Sequence, residues 1–143
     1  MRILILGAGA LGGYFGGRLH QAGLDPSFLV RPGRAAVLAR DGLKITSSLG
    51  DYQAKVTTIT PEALHPGWDL LILTCKAYDL PEAMETIRPA VHSRTAILPV
   101  LNGISHIEAL QRVFGAERVL GGIAKIQASL APDGTIRHLN DWR

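Results

Sequence analysis

Short apolar runs alternate with amphipathic segments along most of the chain. Residues 2–6 are a continuous apolar run typical of a buried strand, and residues 10–23 have the spacing of a helix with one apolar face. The same alternation of an apolar run and an amphipathic segment recurs further along the chain. Strands that alternate with helices are typical of βαβ units, in which helices cover both faces of a parallel sheet. The pattern therefore predicts an α/β fold with a doubly wound, mainly parallel sheet in a single domain.

The predicted elements follow from the same pattern. It predicts strands at 2–6, 27–30, 69–75 and 95–101, helices at 10–23, 34–41, 80–89 and 106–114, and extended segments at 43–47, 52–59, 118–130 and 135–139. Glycine-containing turns are expected at 49–51, within a pair of extended segments, and at 132–134.

Capping residues support several of the helix starts. Asp79 with Glu82, and Ser105 with Glu108, have the three-residue spacing of a capping box. Thr60-Pro61 is a further start signal, although the prolines and glycine that follow limit that helix to about one turn.

The first predicted strand runs directly into a glycine-rich turn that opens the first helix. Gly7-Ala8-Gly9-Ala10-Leu11-Gly12 has the form G-x-G-x-x-G. Gly7 permits the tight turn, Gly9 lets the backbone approach a pyrophosphate, and Gly12 allows close packing of helix on strand. The helix start adds free N–H groups and the positive end of its dipole. The alternative is a glycine-rich turn without a ligand, but the strand and helix around the motif favour a Rossmann-type dinucleotide site formed by these six residues.

Four glycines lie within two turns of the first predicted helix. Gly12, Gly13, Gly16 and Gly17 share one side of it, and each costs roughly 1 kcal/mol relative to alanine in a helix interior. A neighbouring group must therefore approach this helix closely. The neighbour is the sheet, the cofactor or another helix, and for Gly16 and Gly17 both pure packing and a functional role remain open.

The end of the second predicted strand indicates which dinucleotide binds. An acidic residue there would accept hydrogen bonds from the adenosine ribose of NAD, but this chain has Val30-Arg31-Pro32-Gly33-Arg34 instead. The guanidinium of Arg31 suits the 2′-phosphate of NADP. Arg34 is either a second phosphate contact or a solvated residue at a helix start. Lys76, directly after the strand at 69–75, is either a second charge for this phosphate or a surface lysine. The residues favour NADP over NAD.

Other classes of site receive little support from the composition. The formal net charge is only +3, with lysine and arginine scattered, so an anionic small molecule is favoured over nucleic acid. The apolar runs are too short for a membrane span, and the start of the chain lacks a signal-peptide pattern, so a cytoplasmic location is expected. The five histidines lack the spacing of a metal site, and Cys75 is expected to be a small core residue.

Four motifs together identify a family resemblance. The chain resembles the ketopantoate reductases (2-dehydropantoate 2-reductases) from residue 1 to about residue 139, in Gly7-Ala8-Gly9-Ala10-Leu11-Gly12-Gly13, Leu29-Val30-Arg31, Cys75-Lys76-Ala77 and Leu101-Asn102-Gly103. In that family this region is the amino-terminal, NADP-binding half. The resemblance implies that the catalytic residues belong to a helical carboxyl-terminal domain, which is expected to be absent from residues 1–143.

The resemblance also implies roles for individual residues. Arg31 and Lys76 would bind the adenosine 2′-phosphate, Asn102 would lie near the nicotinamide ribose and the substrate, and the backbone around Ala128 would approach the cofactor. Read from the residues alone, Asn102-Gly103 is equally well a plain turn. The implied reaction is hydride transfer from NADPH to 2-dehydropantoate, giving pantoate for coenzyme A biosynthesis. The sequence leaves open a relative that acts on another 2-oxo acid, a stand-alone nucleotide-sensing module, and a homodimer.

Overall fold

The computed structural model describes residues 1–141, which form nine strands and four α-helices. In chain order these are β1 (Ile3–Leu6), α1 (Ala10–Gln21), β2 (Ser27–Leu29), α2 (Pro32–Asp41), β3 (Leu43–Thr46), β4 (Tyr52–Ala54), β5 (Thr57–Ile59), β6 (Leu70–Leu73), α3 (Leu80–Ile87), β7 (Ala96–Pro99), α4 (Ser105–Phe114), β8 (Ala128–Leu130) and β9 (Ile136–His138). Among these residues, none of the helices has the length and apolar character needed to cross a membrane.

Five strands form the predicted parallel sheet, in the order β5-β2-β1-β6-β7. The chain builds outward from β1 through β2 to β5, then returns to the other side of β1 for β6 and β7. This reversal beside β1 is the switch point at which open α/β sheets bind ligands, outside the carboxyl ends of their strands. The predicted doubly wound fold is confirmed.

The two faces of this sheet have separate cores because successive strand residues point to opposite sides. Leu4 packs with residues of α3 and α4, whereas Ile3 and Ile5 pack with residues of α1, α2 and β3. All three side chains are almost completely buried. The continuous apolar run at the start of the chain therefore reflects a strand that is buried on both faces.

A second sheet, which the sequence analysis did not predict, covers α1 from the other side. Its order is β4-β3-β9-β8. β3 and β4 pair antiparallel on either side of the turn expected at 49–51, and β9 pairs parallel to β3. The single extended segment predicted at 52–59 was wrong, because β4 belongs to this second sheet while β5 pairs with β2 in the first. The sheet that each strand joins depends on pairing partners elsewhere in the chain, and local periodicity does not identify these partners.

The long strand predicted at 118–130 was also wrong. Residues 116–118 form a short 3-10 helix, and the chain then passes β7 with one parallel bridge, between Val119 and Ile97, before β8 begins. A Cβ atom on Gly122 would lie 2.8 Å from Leu98 Cδ1 and 3.1 Å from the carbonyl oxygen of Pro99. The segment is thus packed closely against β7 without forming the regular ladder of a strand.

The two predicted capping boxes do not form as expected. Asp79 has helical backbone angles (φ −89°, ψ −4°), whereas a side-chain N-cap normally needs an extended backbone. Ser105 is already the first residue of α4, and Ile104 occupies the N-cap position. Both helices begin near the predicted residues, so spacing located the helix starts but not their capping geometry.

The four glycines of α1 are explained by packing between the two sheets. A Cβ on Gly16 would lie 2.3 Å from the ring of Phe28 in β2, and one on Gly12 would lie 2.3 Å from the carbonyl oxygen of Gly7. On the other side, Cβ atoms on Gly13 and Gly17 would lie 2.2 Å from Ile136 and 2.5 Å from Ile45 of the second sheet. The close neighbours left open by the sequence are therefore the two sheets for Gly13, Gly16 and Gly17, and the glycine-rich turn for Gly12.

Replacement of Gly16 by alanine should destabilise the protein. The added methyl group would meet a buried aromatic ring, and overpacking of this kind costs about 1–3 kcal/mol. Gly33→Ala is the matched control, because Gly33 lies at the exposed start of α2 with open space around it, and this change should be neutral or stabilising by up to about 1 kcal/mol. Urea unfolding measures both. Equal stability of the Gly16→Ala variant and the unmodified protein would contradict the close packing of α1.

Candidate functional site

A cleft of about 520 Å³ opens at the carboxyl ends of β1, β2 and β6. Its walls combine backbone from the glycine-rich turn with apolar and charged side chains from four other segments. The lining residues include Leu6, Gly7, Ala8, Gly9, Leu29, Val30, Arg31, Arg34, Pro61, Thr74, Cys75, Lys76, Asp79, Glu82 and Leu130. Within residues 1–141, no group of three histidine, cysteine, aspartate or glutamate side chains is placed to bind a metal ion.

The glycine-rich turn lines this cleft with Gly7, Ala8 and Gly9. Gly7 has φ +92°, a conformation that favours glycine, and its N–H donates to the carbonyl oxygen of Leu29 at 2.9 Å. Gly9 is the N-cap of α1, and a Cβ atom there would meet nothing within 4 Å. The first helical hydrogen bond runs from Gly13 N–H to the Gly9 oxygen, so the N–H groups of residues 10–12 lie ahead of it. The turn thus combines an open side at Gly9 with the positive end of a helix.

Thr74 is a residue of this site that the sequence analysis missed. Its hydroxyl donates to the carbonyl oxygen of Leu6 at 2.8 Å, and it would lie 2.6 Å from a Cβ on Gly12. The end of β6 is therefore fixed against the end of β1 and the first turn of α1. Its position directly before Cys75-Lys76, near the end of the strand predicted at 69–75, was the available signal.

Arg31 and Lys76 reach the same cleft from neighbouring segments. Arg31 is the N-cap residue of α2, which begins two residues earlier than predicted because Pro32 occupies its first position. Lys76 lies three residues after the end of β6 and is exposed. The structure therefore brings together the two cations that the sequence analysis paired.

Two carboxylates that the sequence analysis assigned only to a capping box line the same cleft. Asp79 precedes α3 and Glu82 lies in its first turn. Glu82 Oε1 is 3.4 Å from Arg31 Nη2, and both side chains are largely exposed. The cleft is therefore less strongly basic than Arg31 and Lys76 alone suggested.

Arg34 is neither a solvated helix residue nor a side chain pointing freely into the cleft. Its Nε and Nη2 both donate to the carbonyl oxygen of Ala8, at 3.1 and 2.9 Å. The side chain is half-buried, and this burial lowers the pKa of the guanidinium. Arg34 thus connects α2 to the glycine-rich turn.

Asn102 and Ala128 lie apart from the residues that line the described cleft. Asn102 is exposed in the loop between β7 and α4, at the same carboxyl edge of the sheet. Ala128 begins β8 opposite His138, two residues before Leu130, which does line the cleft. The glycine-rich turn, Arg31 and Lys76 therefore line one cleft. Asn102 and Ala128 lie outside the lining of this cleft.

Comparison with known proteins places the chain in a family. The model of the family "Ketopantoate reductase PanE/ApbA" matches residues 3–143. The chain belongs to this family. It is 40% identical to the "Uncharacterized oxidoreductase YkpB" of Bacillus subtilis over 96% of its length, and 34% identical to the 2-dehydropantoate 2-reductase of Pyrococcus abyssi, also over 96%. The resemblance identified from the four motifs is confirmed.

Solved structures confirm the same fold for the chain. A crystal structure of 2-dehydropantoate 2-reductase from Geobacter metallireducens matches 98% of this ketopantoate reductase family member, with 39% identity and a TM-score of 0.89. A ternary structure of D-mandelate dehydrogenase with NADH and anilino(oxo)acetate also matches 98%, with 26% identity and a TM-score of 0.88. The chain spans 45% and 44% of the two curated relatives, and 46% of each of these structures.

Cys75 provides a chemical probe of the cleft. Burial raises the pKa of its thiol, so the reactive thiolate forms at higher pH than in an unburied cysteine. The rate of alkylation by iodoacetamide should therefore be low at pH 7, and its midpoint should lie above the ordinary cysteine range. Because Cys75 lines the cleft, a nucleotide such as NADPH that binds in this cleft should slow the reaction further. An alkylation rate that bound NADPH leaves unchanged would contradict nucleotide binding beside Cys75.

Proposed function

We propose that this chain is the NADPH-binding part of an oxidoreductase that reduces 2-dehydropantoate to pantoate. The observation that supports it best is the convergence, in one cleft, of the glycine-rich turn at the start of α1 with Arg31 and Lys76. Family membership supports the reaction class. The 2-dehydropantoate 2-reductase of Pyrococcus abyssi supports the choice of substrate.

In this proposal the start of α1 binds the pyrophosphate. The N–H groups of residues 10–12 precede the first helical hydrogen bond, so they are available to an anion, and the helix dipole adds favourable charge. The space beside Gly9 is open, so a phosphate can approach the backbone there. The side chain of a larger residue would block this approach. Gly7, Ala8, Ala10, Leu11 and Gly12 complete the turn.

Arg31 and Lys76 bind the adenosine 2′-phosphate in this proposal. Arg31 is engaged with Glu82 in an exposed ion pair, and pairs of this kind contribute little to stability. A phosphate dianion offers the guanidinium stronger, two-pronged hydrogen bonding than one distant carboxylate oxygen. The ion pair is therefore expected to open when NADPH binds.

The remaining proposed residues lie toward the reacting end of the cofactor. When bound, the nicotinamide supplies the hydride, and the protein binds and orients it. Asn102 is proposed to contact the nicotinamide ribose and the substrate, and the backbone at Ala128 to approach the cofactor. The catalytic residues are expected in a helical carboxyl-terminal domain outside residues 1–143.

A reductase of another 2-oxo acid is the second candidate. It is supported by the likeness to D-mandelate dehydrogenase, whose solved complexes contain NADH. Turnover of the full-length protein with NADPH and 2-dehydropantoate distinguishes the two candidates, because the second predicts activity on a different 2-oxo acid only. A stand-alone nucleotide-sensing module predicts binding of NADPH without turnover of any oxo acid.

Arg31→Ala tests the choice of cofactor. Loss of the charge-assisted hydrogen bonds to the 2′-phosphate should weaken NADPH binding about tenfold, while NADH binding should change less than about twofold. Isothermal titration calorimetry with both cofactors measures this difference. Arg40→Ala is the matched control, because Arg40 lies in the same helix, α2, and pairs with Asp41.

Either of two results would contradict the role of Arg31. One is an equal loss of affinity for NADPH and NADH in the Arg31→Ala variant. The other is equal affinity of the unmodified protein for the two cofactors, since the proposed 2′-phosphate contacts would then contribute nothing.

Glu82→Gln tests the opposing carboxylate. Removing this negative charge releases Arg31 from its ion pair, so NADPH binding should tighten by about two- to fivefold while NADH binding stays constant. Combining it with Arg31→Ala should remove the gain, because the effect acts through Arg31. Tighter NADPH binding in the double variant than in Arg31→Ala alone would show that Glu82 acts independently.

A further inference from the structure

Arg34 holds one carbonyl group of the glycine-rich turn with two hydrogen-bond donors. Its Nε and Nη2 lie 3.1 and 2.9 Å from the Ala8 oxygen, so both arms of the guanidinium fork meet the same acceptor. Ala8 is 2% exposed, and water has little access to this residue. The Arg34 side chain therefore supplies the hydrogen bonds that its carbonyl needs.

Fixing this carbonyl also fixes the first N–H group on the ligand side of the turn. The Ala8 carbonyl and the Gly9 N–H belong to one planar trans peptide group, so the direction of one determines the direction of the other. Gly9 is the N-cap of α1, has extended backbone angles (φ −84°, ψ −156°) and has open space around it. Glycine is the most permissive residue for backbone rotation, so an external restraint matters most at this position.

The position of Arg34 is itself set from the opposite side. Its Nη2 lies 3.4 Å from the carbonyl oxygen of Gly134, in the turn between β8 and β9, and a Cβ on Gly134 would lie 2.8 Å from its Nη1. The half-buried guanidinium thus lies between the turn of the second sheet and the glycine-rich turn. Arg31, three residues earlier, has a largely exposed side chain by contrast.

We propose that Arg34 is a positioning residue that holds the glycine-rich turn in its pyrophosphate-binding conformation. This inference rests on the proposed function of the cleft, and it assigns different tasks to two arginines of one segment. Arg31 distinguishes NADPH from NADH, whereas Arg34 strengthens the binding of every ligand that has a pyrophosphate group. Arg34 acts through the Ala8 carbonyl rather than by contact with the 2′-phosphate.

The test compares four ligands in the unmodified protein, in Arg34→Ala and in the control Arg40→Ala. NADPH, NADH and ADP contain a pyrophosphate, whereas adenosine 2′-monophosphate has the 2′-phosphate without it. In Arg34→Ala, affinity for the first three should fall by a common factor of about ten, because the turn is no longer preorganised. Affinity for adenosine 2′-monophosphate, followed by NMR titration, should stay within about twofold. Arg40→Ala should leave all four affinities unchanged.

Several outcomes would overturn the proposal. A changed ratio of NADPH to NADH affinity in Arg34→Ala would indicate direct contact with the 2′-phosphate, and an equal loss for adenosine 2′-monophosphate would indicate general damage to the cleft. Unchanged affinity for all four ligands would exclude any role in binding.

A second variant and the unmodified protein complete the test. If Arg34→Ala does not fold, Arg34→Lys should show the same pattern with a smaller common factor, because lysine keeps the charge but lacks the fork. Failure of the unmodified protein to bind NADPH, NADH and ADP would refute the proposed function and the inference resting on it. Equal binding of NADPH and NADH would refute only the task of Arg31.

Discussion

The close approach of α1 to two sheets is the constraint on which the rest of this structure depends. Gly16 meets Phe28 and Ile5 of the parallel sheet, while Gly13 and Gly17 meet Ile136 and Ile45 of the second sheet. A helix with larger residues on these sides would separate the sheets. Since the glycine-rich turn leads directly into α1, the packing of this helix also determines where its free N–H groups point. The glycines therefore serve the fold along the helix and the proposed ligand site at its start.

Electrostatic balance is the second constraint on the site. The cleft has three cationic side chains, Arg31, Arg34 and Lys76, together with the carboxylates Asp79 and Glu82. Arg34 donates to the Ala8 carbonyl oxygen, and Arg31 forms a solvent-exposed ion pair with Glu82. The proposed preference for NADPH thus rests on how easily Arg31 exchanges its carboxylate partner for a phosphate, and less on the number of positive charges. The solved structure of D-mandelate dehydrogenase, which has the same fold over 98% of this chain, contains NADH, a cofactor without a 2′-phosphate.

The sequence predicted the parallel sheet and the convergence of the glycine-rich turn with Arg31 and Lys76, because these features are local. Each follows from a short apolar run and the residues that immediately succeed it. The second sheet and the division of residues 52–59 were not predictable in this way, since β3 pairs with β9 about ninety residues later. The same applies to Arg34 and Glu82, whose partners are distant in sequence. Periodicity describes which face of an element is buried, but it does not identify the partner that buries it.

The central claim is that one cleft binds the cofactor through two anion sites. In this proposal the start of α1 binds the pyrophosphate, and Arg31 with Lys76 binds the 2′-phosphate. A crystal structure of the protein with NADPH tests this most directly. The account predicts the pyrophosphate within hydrogen-bond distance of the N–H groups of residues 9–12. It also predicts the 2′-phosphate within that distance of Arg31 and Lys76, with the Glu82 ion pair open. A 2′-phosphate that faces solvent while Arg31 stays paired with Glu82 would contradict it.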